Sequence, residues 1–307
     1  MRDISPWFGL SSVAEAEQTI VVVGCPFGSA EAFRAGANEG PHAIRTWART
    51  AQAINEVGHP VTGIRVVDCG DAVVASDAAA ADPAPTCRDA GESRWRAIED
   101  EAAEALAAHP GAFLLGLGGD HAVTSPLAAA ARRARGEMAF LLLDAHPDCF
   151  ETYEGDPLSH ACVVPRVWDR AGFQRATTCI AGVRSYALEE LEVMDTAGLV
   201  VPARPWRTLG SEALAEEIRI LTGGAPLYIS LDIDVLDPAC APGTGYPVAG
   251  GPDVRELLAL LCAVFERQPV AAMDLVEVAP PVDPSGITAA NAAHILLQVF
   301  GFLTPSR

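Results

Sequence analysis

Short, continuous apolar runs that alternate with longer amphipathic stretches constrain the fold of this chain more than any other feature. The runs are rich in leucine and β-branched residues. Apolar and polar residues do not alternate in them, as they would in a strand with one face exposed to solvent. They cover residues 20–23, 64–67, 112–117, 138–143, 178–183, 227–231 and 270–276. Strands of this kind are typical of a parallel sheet that is buried on both faces.

The stretches between and after these runs have the spacing of amphipathic helices. They cover residues 41–55, 93–108, 126–135, 187–196, 211–221, 252–267 and 289–303. This alternation predicts an α/β fold with three layers, α/β/α, around a mostly parallel central sheet. No repeat or boundary interrupts the pattern, so we expect one domain over residues 1–307. We interpret the low-complexity residues 77–85 as a surface loop, and the Gly/Pro-rich residues 241–252 as a loop after a strand.

Charge and the choice of basic residues exclude several functions. The 307 residues carry a formal net charge of −19 and contain no lysine. An acidic surface repels nucleic acid and anionic membranes, so we expect neither as a partner. Without lysine, a Walker A loop, a lysine Schiff base and a Ser–Lys dyad are impossible. The sequence has no apolar stretch of roughly 18 to 20 residues and no signal peptide pattern, which predicts a soluble cytoplasmic protein.

Metal-ligand residue types follow three of the predicted strands. The run 112–117 leads into Gly-Gly-Asp-His at 118–121, and the run 138–143 leads into Asp-Ala-His-Pro-Asp at 144–148. The run 227–231 leads into Asp-Ile-Asp at 232–234. Ligands of open α/β sheets bind beyond the carboxyl ends of the strands, so we expect these side chains to face one site.

The spacing within these segments supports a shared site. Residues two apart in an extended chain point to the same side, so Asp144 can converge with His146, and Asp232 with Asp234. Pro147 would turn the chain and bring Asp148 back towards the same point. A lone Asp-x-Asp is often only a turn or helix cap, but several unpaired carboxylates at one end of a sheet would repel one another. The clustering therefore favours a metal site.

The number and type of these ligands indicate two ions. Together with His121 the set comprises four carboxylates and two imidazoles. One divalent ion cannot use six such ligands and leave room for substrate, whereas two ions that share carboxylates can. Carboxylates with imidazoles and no thiolate suit manganese better than structural zinc, although zinc, cobalt or iron could also bind.

These segments resemble the ureohydrolase family of arginases and agmatinases, with agmatinase the most similar. The match spans roughly residues 20 to 300 in the family's order. It comprises FRAGANEGPHAIR at 33–45, GGDH at 118–121, DAHPD at 144–148, SLDIDVLDP at 230–238, APGTGYPVAGG at 241–251 and DLVEVAPPVD at 274–283. The resemblance implies an arginase-like α/β/α fold, a two-manganese centre in each subunit, and a homo-trimer or homo-hexamer.

The resemblance also implies a ligand set for each ion. One ion would be held by His121, Asp144, Asp148 and Asp232, and the other by His146, Asp144, Asp232 and Asp234. Asp144 and Asp232 would then bridge the two ions.

The same resemblance gives three residues catalytic roles. Glu277 matches the family's guanidinium-binding glutamate, whose two oxygens suit a planar guanidinium. His160 matches the histidine that carries protons at the mouth of the site, and its pKa near neutrality suits that role. Asp148 could relay a proton from the nucleophilic hydroxide to the leaving amine. Asp274 lies within a predicted strand, so we expect it to support the site from behind.

The segment after Asp148 favours a substrate with a cationic tail. Phe150 stands where arginases typically have an asparagine for the substrate's α-carboxylate, and phenylalanine cannot hydrogen-bond a carboxylate. The next charges, Glu151, Glu154 and Asp156, are all acidic. We therefore predict agmatine as substrate, with putrescine and urea as products.

Other functions remain compatible with these motifs. Guanidinobutyrate, guanidinopropionate or arginine would be accepted if Arg34 or Arg184 neutralised a distal carboxylate. A deacetylase-like amide hydrolase would need a single zinc site with a tyrosine or histidine pair, which the sequence does not show. A non-catalytic metal-binding relative is disfavoured because all six candidate ligands and Glu277 are present.

Overall fold

Eight parallel strands form one sheet in the computed structural model, which describes residues 7–10, 16–28, 33–73 and 87–304. The strands are β1 (Gln18–Cys25), β2 (Ile64–Asp71), β3 (Phe113–Gly118), β4 (Ala139–Leu143), β5 (Thr178–Ala181), β6 (Leu199–Val201), β7 (Leu227–Asp232) and β8 (Val270–Val276). Their order across the sheet is β2-β1-β3-β8-β7-β4-β5-β6. The predicted loop at 77–85 lies outside the described residues.

Helices cover both faces of this sheet. They are α1 (Gly40–Ala48), α2 (Cys87–Ala108), α3 (Thr124–Arg135), α4 (Val163–Asp169), α5 (Leu188–Met194), α6 (Ala203–Leu209), α7 (Ser211–Thr222), α8 (Val254–Arg267) and α9 (Ile287–Phe302). No helix in the described ranges is both long and apolar enough to cross a membrane.

Two apolar clusters, one on each face of the sheet, confirm the predicted three layers. Successive side chains of β1 alternate between them, with Ile20 and Val22 in one cluster and Val21 and Val23 in the other. The first cluster contains core residues of α1 and of α6 to α9, and the second contains core residues of α2 to α5. Both faces of the central strands are therefore dry, which explains their unbroken apolar runs.

The strand order places the three metal-type segments beside the segment that carries Glu277. β3, β8, β7 and β4 are neighbours at the centre of the sheet, and all four run in the same direction. Their carboxyl ends therefore meet at one edge, where the chain that leaves each strand can contribute to a common site.

Some short elements differ from the sequence-based expectation. α1 ends at Ala48 instead of 55, and an isolated antiparallel bridge joins Ile54 to Pro60. Helices α4 and α6, each of seven residues, and the three-residue strand β6 were not predicted. Such elements are too short for a helical or strand periodicity to develop in the sequence.

Candidate active site

The segment after β3 is pressed against the segment after β1. Gly119 donates its N–H to Cys25 O at 2.8 Å, and Asp120 donates to Phe27 O at 2.7 Å. A Cβ at position 119 would lie 1.7 Å from Phe27 O, so only glycine fits there. This close approach fixes the backbone from which the His121 side chain projects.

His121 Nδ1 faces three carboxylates. The distances from this nitrogen are 2.8 Å to Asp148 Oδ2, 3.1 Å to Asp144 Oδ2 and 3.3 Å to Asp232 Oδ2. One ligand atom from each of His121, Asp144 and Asp232 lies within 4.8 Å of the others, which is the spacing of a metal site.

A second group shares Asp144. His146 Nδ1 lies 3.1 Å from Asp234 Oδ2 and 3.6 Å from Asp144 Oδ1, and these three residues also offer ligand atoms within 4.8 Å of one another. Asp232 Oδ1 accepts a hydrogen bond from Asp234 N at 2.7 Å, which folds the Asp-Ile-Asp segment into a tight turn. The structure therefore brings five of the six predicted ligands into two groups that share Asp144, and the sixth, Asp148, lies 2.8 Å from His121 Nδ1.

The donor set fits divalent cations. His121 Nδ1 and Asp144 Oδ2 are buried and point into the cluster, without the geometry of a hydrogen bond to any described residue. Burial and the neighbouring Asp144 raise the pKa of Asp148 to about 7. Burial and the carboxylates of Asp234 and Asp144 raise the pKa of Asp232 well above its ordinary range. Ions between these groups would remove the cost of crowding negative charge in a dry place.

Glu277 stands directly after β8 with its carboxylate in the same site. It is 8% exposed, and its Oε1 accepts a hydrogen bond from His121 N at 2.8 Å. Burial, followed by the charge of Asp120, raises the pKa of Glu277 to about 8. A buried carboxylate of this kind gains most from a cationic ligand, because the cation restores its ionised form.

Two of the site residues adopt a left-handed backbone. Asp148 has φ 47° and Glu277 has φ 64°, a region that non-glycine residues seldom enter. Both turns follow a strand end and aim a carboxylate into the pocket. Backbone strain concentrates where the surrounding structure holds functional groups in place, and both residues fit that pattern.

His160 lies at the start of the segment that leads into α4. Burial lowers its pKa, and its ring stacks on Tyr246 with centroids 5.8 Å apart and an interplanar angle of 22°. His160 lines the same pocket as Glu277 and Asp148, so the structure places all three predicted catalytic residues together.

The pocket measures about 300 Å³, and its wall includes residues that the sequence did not indicate. Tyr153, Tyr186, Glu190 and Tyr246 line it together with Phe150. The Glu190 carboxylate accepts hydrogen bonds from Cys149 N at 3.1 Å and from Ala187 N at 2.9 Å. The first bond connects Glu190 to the segment that follows Asp148. Tyrosines and a glutamate in loops carry no periodic signal, so only the folded chain reveals them.

The acidic residues after Phe150 do not line this pocket. Glu151 pairs with Arg166 at 2.9 Å, and Asp156 accepts from Leu158 N at 2.8 Å. The preference for a cationic tail therefore has to rest on the pocket wall itself, and not on Glu151, Glu154 and Asp156 as the sequence suggested.

The two arginines considered as partners of a distal carboxylate have other contacts. The Arg184 guanidinium donates to backbone carbonyls, among them Asp234 O at 2.7 Å and Val248 O at 2.8 Å. Arg34 donates to Val282 O at 3.2 Å. Among the described residues that line the pocket there is no arginine.

Behind His121 a buried chain of hydrogen bonds reaches Asp274. His121 Nε2 lies 2.9 Å from Ser230 Oγ, and Ser230 donates to Asp274 Oδ1 at 2.7 Å. Tyr228 donates to Asp274 Oδ2 at 2.6 Å. The structure thus places Asp274 behind His121, one of the residues predicted to bind a metal ion.

Comparison with known proteins shows how far this architecture is shared. The model of the Arginase family matches residues 18–301. An N(1)-aminopropylagmatine ureohydrolase of Thermus thermophilus is 33% identical over 273 residues, which cover 89% of this chain and 87% of that protein. A guanidinopropionase of Pseudomonas aeruginosa is also 33% identical, over 93% of this chain and 86% of that protein.

A solved structure gives the same result at the level of the fold. The crystal structure of a hypothetical agmatinase of Burkholderia thailandensis superimposes with a TM-score of 0.78 at 31% identity, over 94% of this chain and 86% of that chain. Family and fold therefore agree over most of the sequence.

Proposed function

This chain belongs to the arginase family of metal-dependent hydrolases, and we propose that it hydrolyses agmatine to putrescine and urea. The observation that carries the proposal is the pairing of two Asp/His groups with Glu277 in one pocket. The groups can hold the ions that a hydrolase needs for its nucleophile, and Glu277 can hold a guanidinium cation beside them.

The reaction adds water across one carbon–nitrogen bond. A C–O bond forms at the guanidinium carbon, the bond to the alkyl nitrogen breaks, and both protons of the water end on that nitrogen. Urea and an alkylammonium ion leave. Two Mn²⁺ ions held by the Asp/His groups would supply the acidity that makes hydroxide available from water at neutral pH.

We assign the ligands as the family resemblance implies: His121, Asp144, Asp148 and Asp232 for one ion, and His146, Asp144, Asp232 and Asp234 for the other. The arrangement of these residues around His121 Nδ1 and His146 Nδ1 supports the assignment. The shared position of Asp144 in both groups supports its bridging role.

The remaining side chains bind substrate and move protons. Glu277 orients the guanidinium through its carboxylate. Asp148 Oδ2 faces His121, and we assign Asp148 Oδ1 to take a proton from the nucleophile and return it to the leaving nitrogen. His160, at the outer wall, exchanges protons with solvent once the amine departs.

The wider setting belongs to the same proposal. We propose that residues 1–307 form a single catalytic domain, which the single sheet across the described residues supports. We further propose a cytoplasmic homo-trimer or homo-hexamer that acts in polyamine synthesis. The family resemblance supports this setting, and the small cationic substrate requires no nucleic-acid or membrane partner.

A urea assay across a panel of guanidines tests the proposal. The purified protein, loaded with Mn²⁺, is given agmatine, guanidinobutyrate, guanidinopropionate and arginine at equal concentrations. We expect urea from agmatine with the highest kcat/KM. Faster release from a carboxylate-bearing guanidine would overturn agmatine and retain the hydrolase, whereas no urea from any guanidine would overturn the proposed function.

A further inference from the structure

We propose that Phe150 and Tyr153, which line the pocket together with Tyr246, bind the distal ammonium group of the substrate and thereby select guanidines with a cationic tail. These three residues are called the aromatic wall below. The inference rests on the proposed function, and it names the part of the pocket that determines specificity. All three side chains line the pocket that also contains Asp148 and Glu277.

The aromatic wall continues outwards from the metal-side histidines. The Tyr246 ring lies 6.3 Å from His146 and 5.8 Å from His160, measured between centroids. The Tyr153 ring lies 5.5 Å from His160, and the Phe150 ring lies 5.3 Å from Tyr153 at an interplanar angle of 61°. These contacts form a continuous row of rings that begins at His146, beside the reacting end of the pocket, and ends at Phe150.

A hydrogen bond holds one ring of the wall before any ligand arrives. Tyr246 Oη accepts from Phe33 N at 3.0 Å. The Phe33 ring lies 6.4 Å from the Tyr246 ring. Rings held this way lose little conformational entropy when a ligand binds, so their contacts contribute directly to affinity.

The electrostatics of the wall favour a cation and oppose a carboxylate. An aromatic face carries negative potential, and an ammonium group within about 6 Å of the ring centre is attracted to it. Glu190 and Glu277 add carboxylates to the same pocket, while no arginine from the described part of the chain lines it. A substrate tail with a negative charge would therefore lose its hydration without gaining a partner.

An uncharged tail distinguishes recognition of charge from simple apolar contact. Pentylguanidine has the shape of agmatine, with a methyl group in place of the ammonium. If the wall only covers the methylene chain, both compounds should react equally well. If it recognises the charge, agmatine should be preferred, and removal of an aromatic ring should reduce that preference.

The test compares kcat/KM for urea release from agmatine and from pentylguanidine in the Mn²⁺-loaded protein. We expect Phe150→Leu and Tyr153→Leu each to reduce the agmatine-to-pentylguanidine ratio by about three- to thirtyfold, the range of a cation–π contact. The loss should lie in KM for agmatine, with kcat little changed. Tyr153→Phe keeps the ring and should keep the ratio within about twofold.

The ratio is taken within each variant, so a general loss of folded protein cancels. Urea release with unchanged ratios in both leucine variants would overturn the role of the wall and leave the proposed function standing. An equal loss in Tyr153→Phe would assign the effect to the hydroxyl and also overturn it. No urea from any guanidine would overturn the proposed function, and this inference with it.

Discussion

Two clusters of charged residues lie at the carboxyl edge of the same sheet, and their carboxylates have opposite kinds of partner. At the β2 end, Arg45 forms ion pairs with Asp68 at 2.8 Å and Asp71 at 2.5 Å. At the centre, Asp144, Asp148 and Asp232 crowd around His121 Nδ1 without an arginine partner in the site described here. We call these the Arg45 cluster and the central cluster, and the central cluster includes His146 and Asp234, which share Asp144 with it.

This difference in the partners of the carboxylates indicates which cluster is suited to bind a cation. Burial alone would lower the pKa of Arg45, but Asp68 and Asp71 raise it overall, so the Arg45 cluster is complete within the chain. Burial and neighbouring charge raise the pKa values of Asp148 and Asp232 in the central cluster. Ionised Asp148 and Asp232 therefore carry a cost that cations from outside would remove.

The largest expected effect is the loss of catalysis when one carboxylate of the central cluster is neutralised. Asp234→Asn removes the charge that faces His146 Nδ1 at 3.1 Å. We expect kcat/KM for urea release to fall by at least about a thousandfold, because hydroxide must then form without two ions. Circular dichroism should show an unchanged fold.

The matched control makes the same chemical change at an exposed site. Asp195→Asn, at the end of α5, should keep activity within about twofold, as surface substitutions usually do. Full turnover in Asp234→Asn would contradict its assignment as a metal ligand and would remove the distinction between the two clusters.

A substitution in the Arg45 cluster should lower the stability of the fold without acting directly on catalysis. Arg45→Met leaves Asp68, whose side chain is only 3% exposed, without its ion-pair partner and, among the described residues, with only the hydrogen bonds from Trp7 Nε1 and Gly70 N. We expect the free energy of unfolding to fall by about 3–5 kcal/mol, the cost of breaking a buried ion pair. Urea denaturation measures this, with Arg49→Met on the exposed surface of the same segment as control. A loss no larger than that of Arg49→Met would show that the Arg45 cluster is not needed for stability.

Metal removal should act on the central cluster alone. Ligand binding to the folded state stabilises it by about 2.7 kcal/mol at a hundredfold excess over Kd, so chelation should lower the melting temperature measured by calorimetry. The decrease should be the same in wild type and Arg45→Met, since distant sites contribute additively. Metal analysis of the loaded wild type should give two ions per chain, and one tightly bound zinc would contradict the two-metal assignment.

The sequence predicted the central cluster well because its signal is local. Asp144 and His146, and likewise Asp232 and Asp234, follow unbroken apolar runs at a spacing of two, so strand geometry alone brings each pair to one side. The parallel topology then joins pairs from different strands. Periodicity and residue type were enough to predict the fold class and the convergence of these four side chains, whereas the ligand set of each ion came from the family resemblance.

The pocket wall was less predictable because side-chain direction in loops depends on tertiary contacts. Glu151 is next to Phe150 in sequence, but it forms an ion pair with Arg166 and does not line the pocket. Tyr246 comes from a loop almost a hundred residues further on and reaches the same wall as Phe150. The sequence likewise gives no signal that the Arg184 guanidinium donates hydrogen bonds to backbone carbonyls around Asp234.

We expect the smallest effect from a substitution of Asp274, which lies behind the central cluster. Asp274 is fully buried and accepts from Ser230 and Tyr228, and Ser230 in turn lies against His121 Nε2. A histidine that binds metal through Nδ1 carries its proton on Nε2, so this chain fixes the tautomer and the ring orientation. Asp274→Asn should weaken Mn²⁺ binding by about tenfold, the lower end of the cost of losing such a partner.

The measurement is the Mn²⁺ concentration that gives half-maximal urea release, compared with Tyr228→Phe. Tyr228→Phe removes one donor to Asp274 but leaves the Ser230 bond in place, so it should change Mn²⁺ dependence less than Asp274→Asn does. Activity at saturating Mn²⁺ should recover largely in both variants, because no proposed ligand is lost. A loss in Asp274→Asn that excess Mn²⁺ does not reverse would mean that Asp274 supports the fold of the central strands and does not position His121.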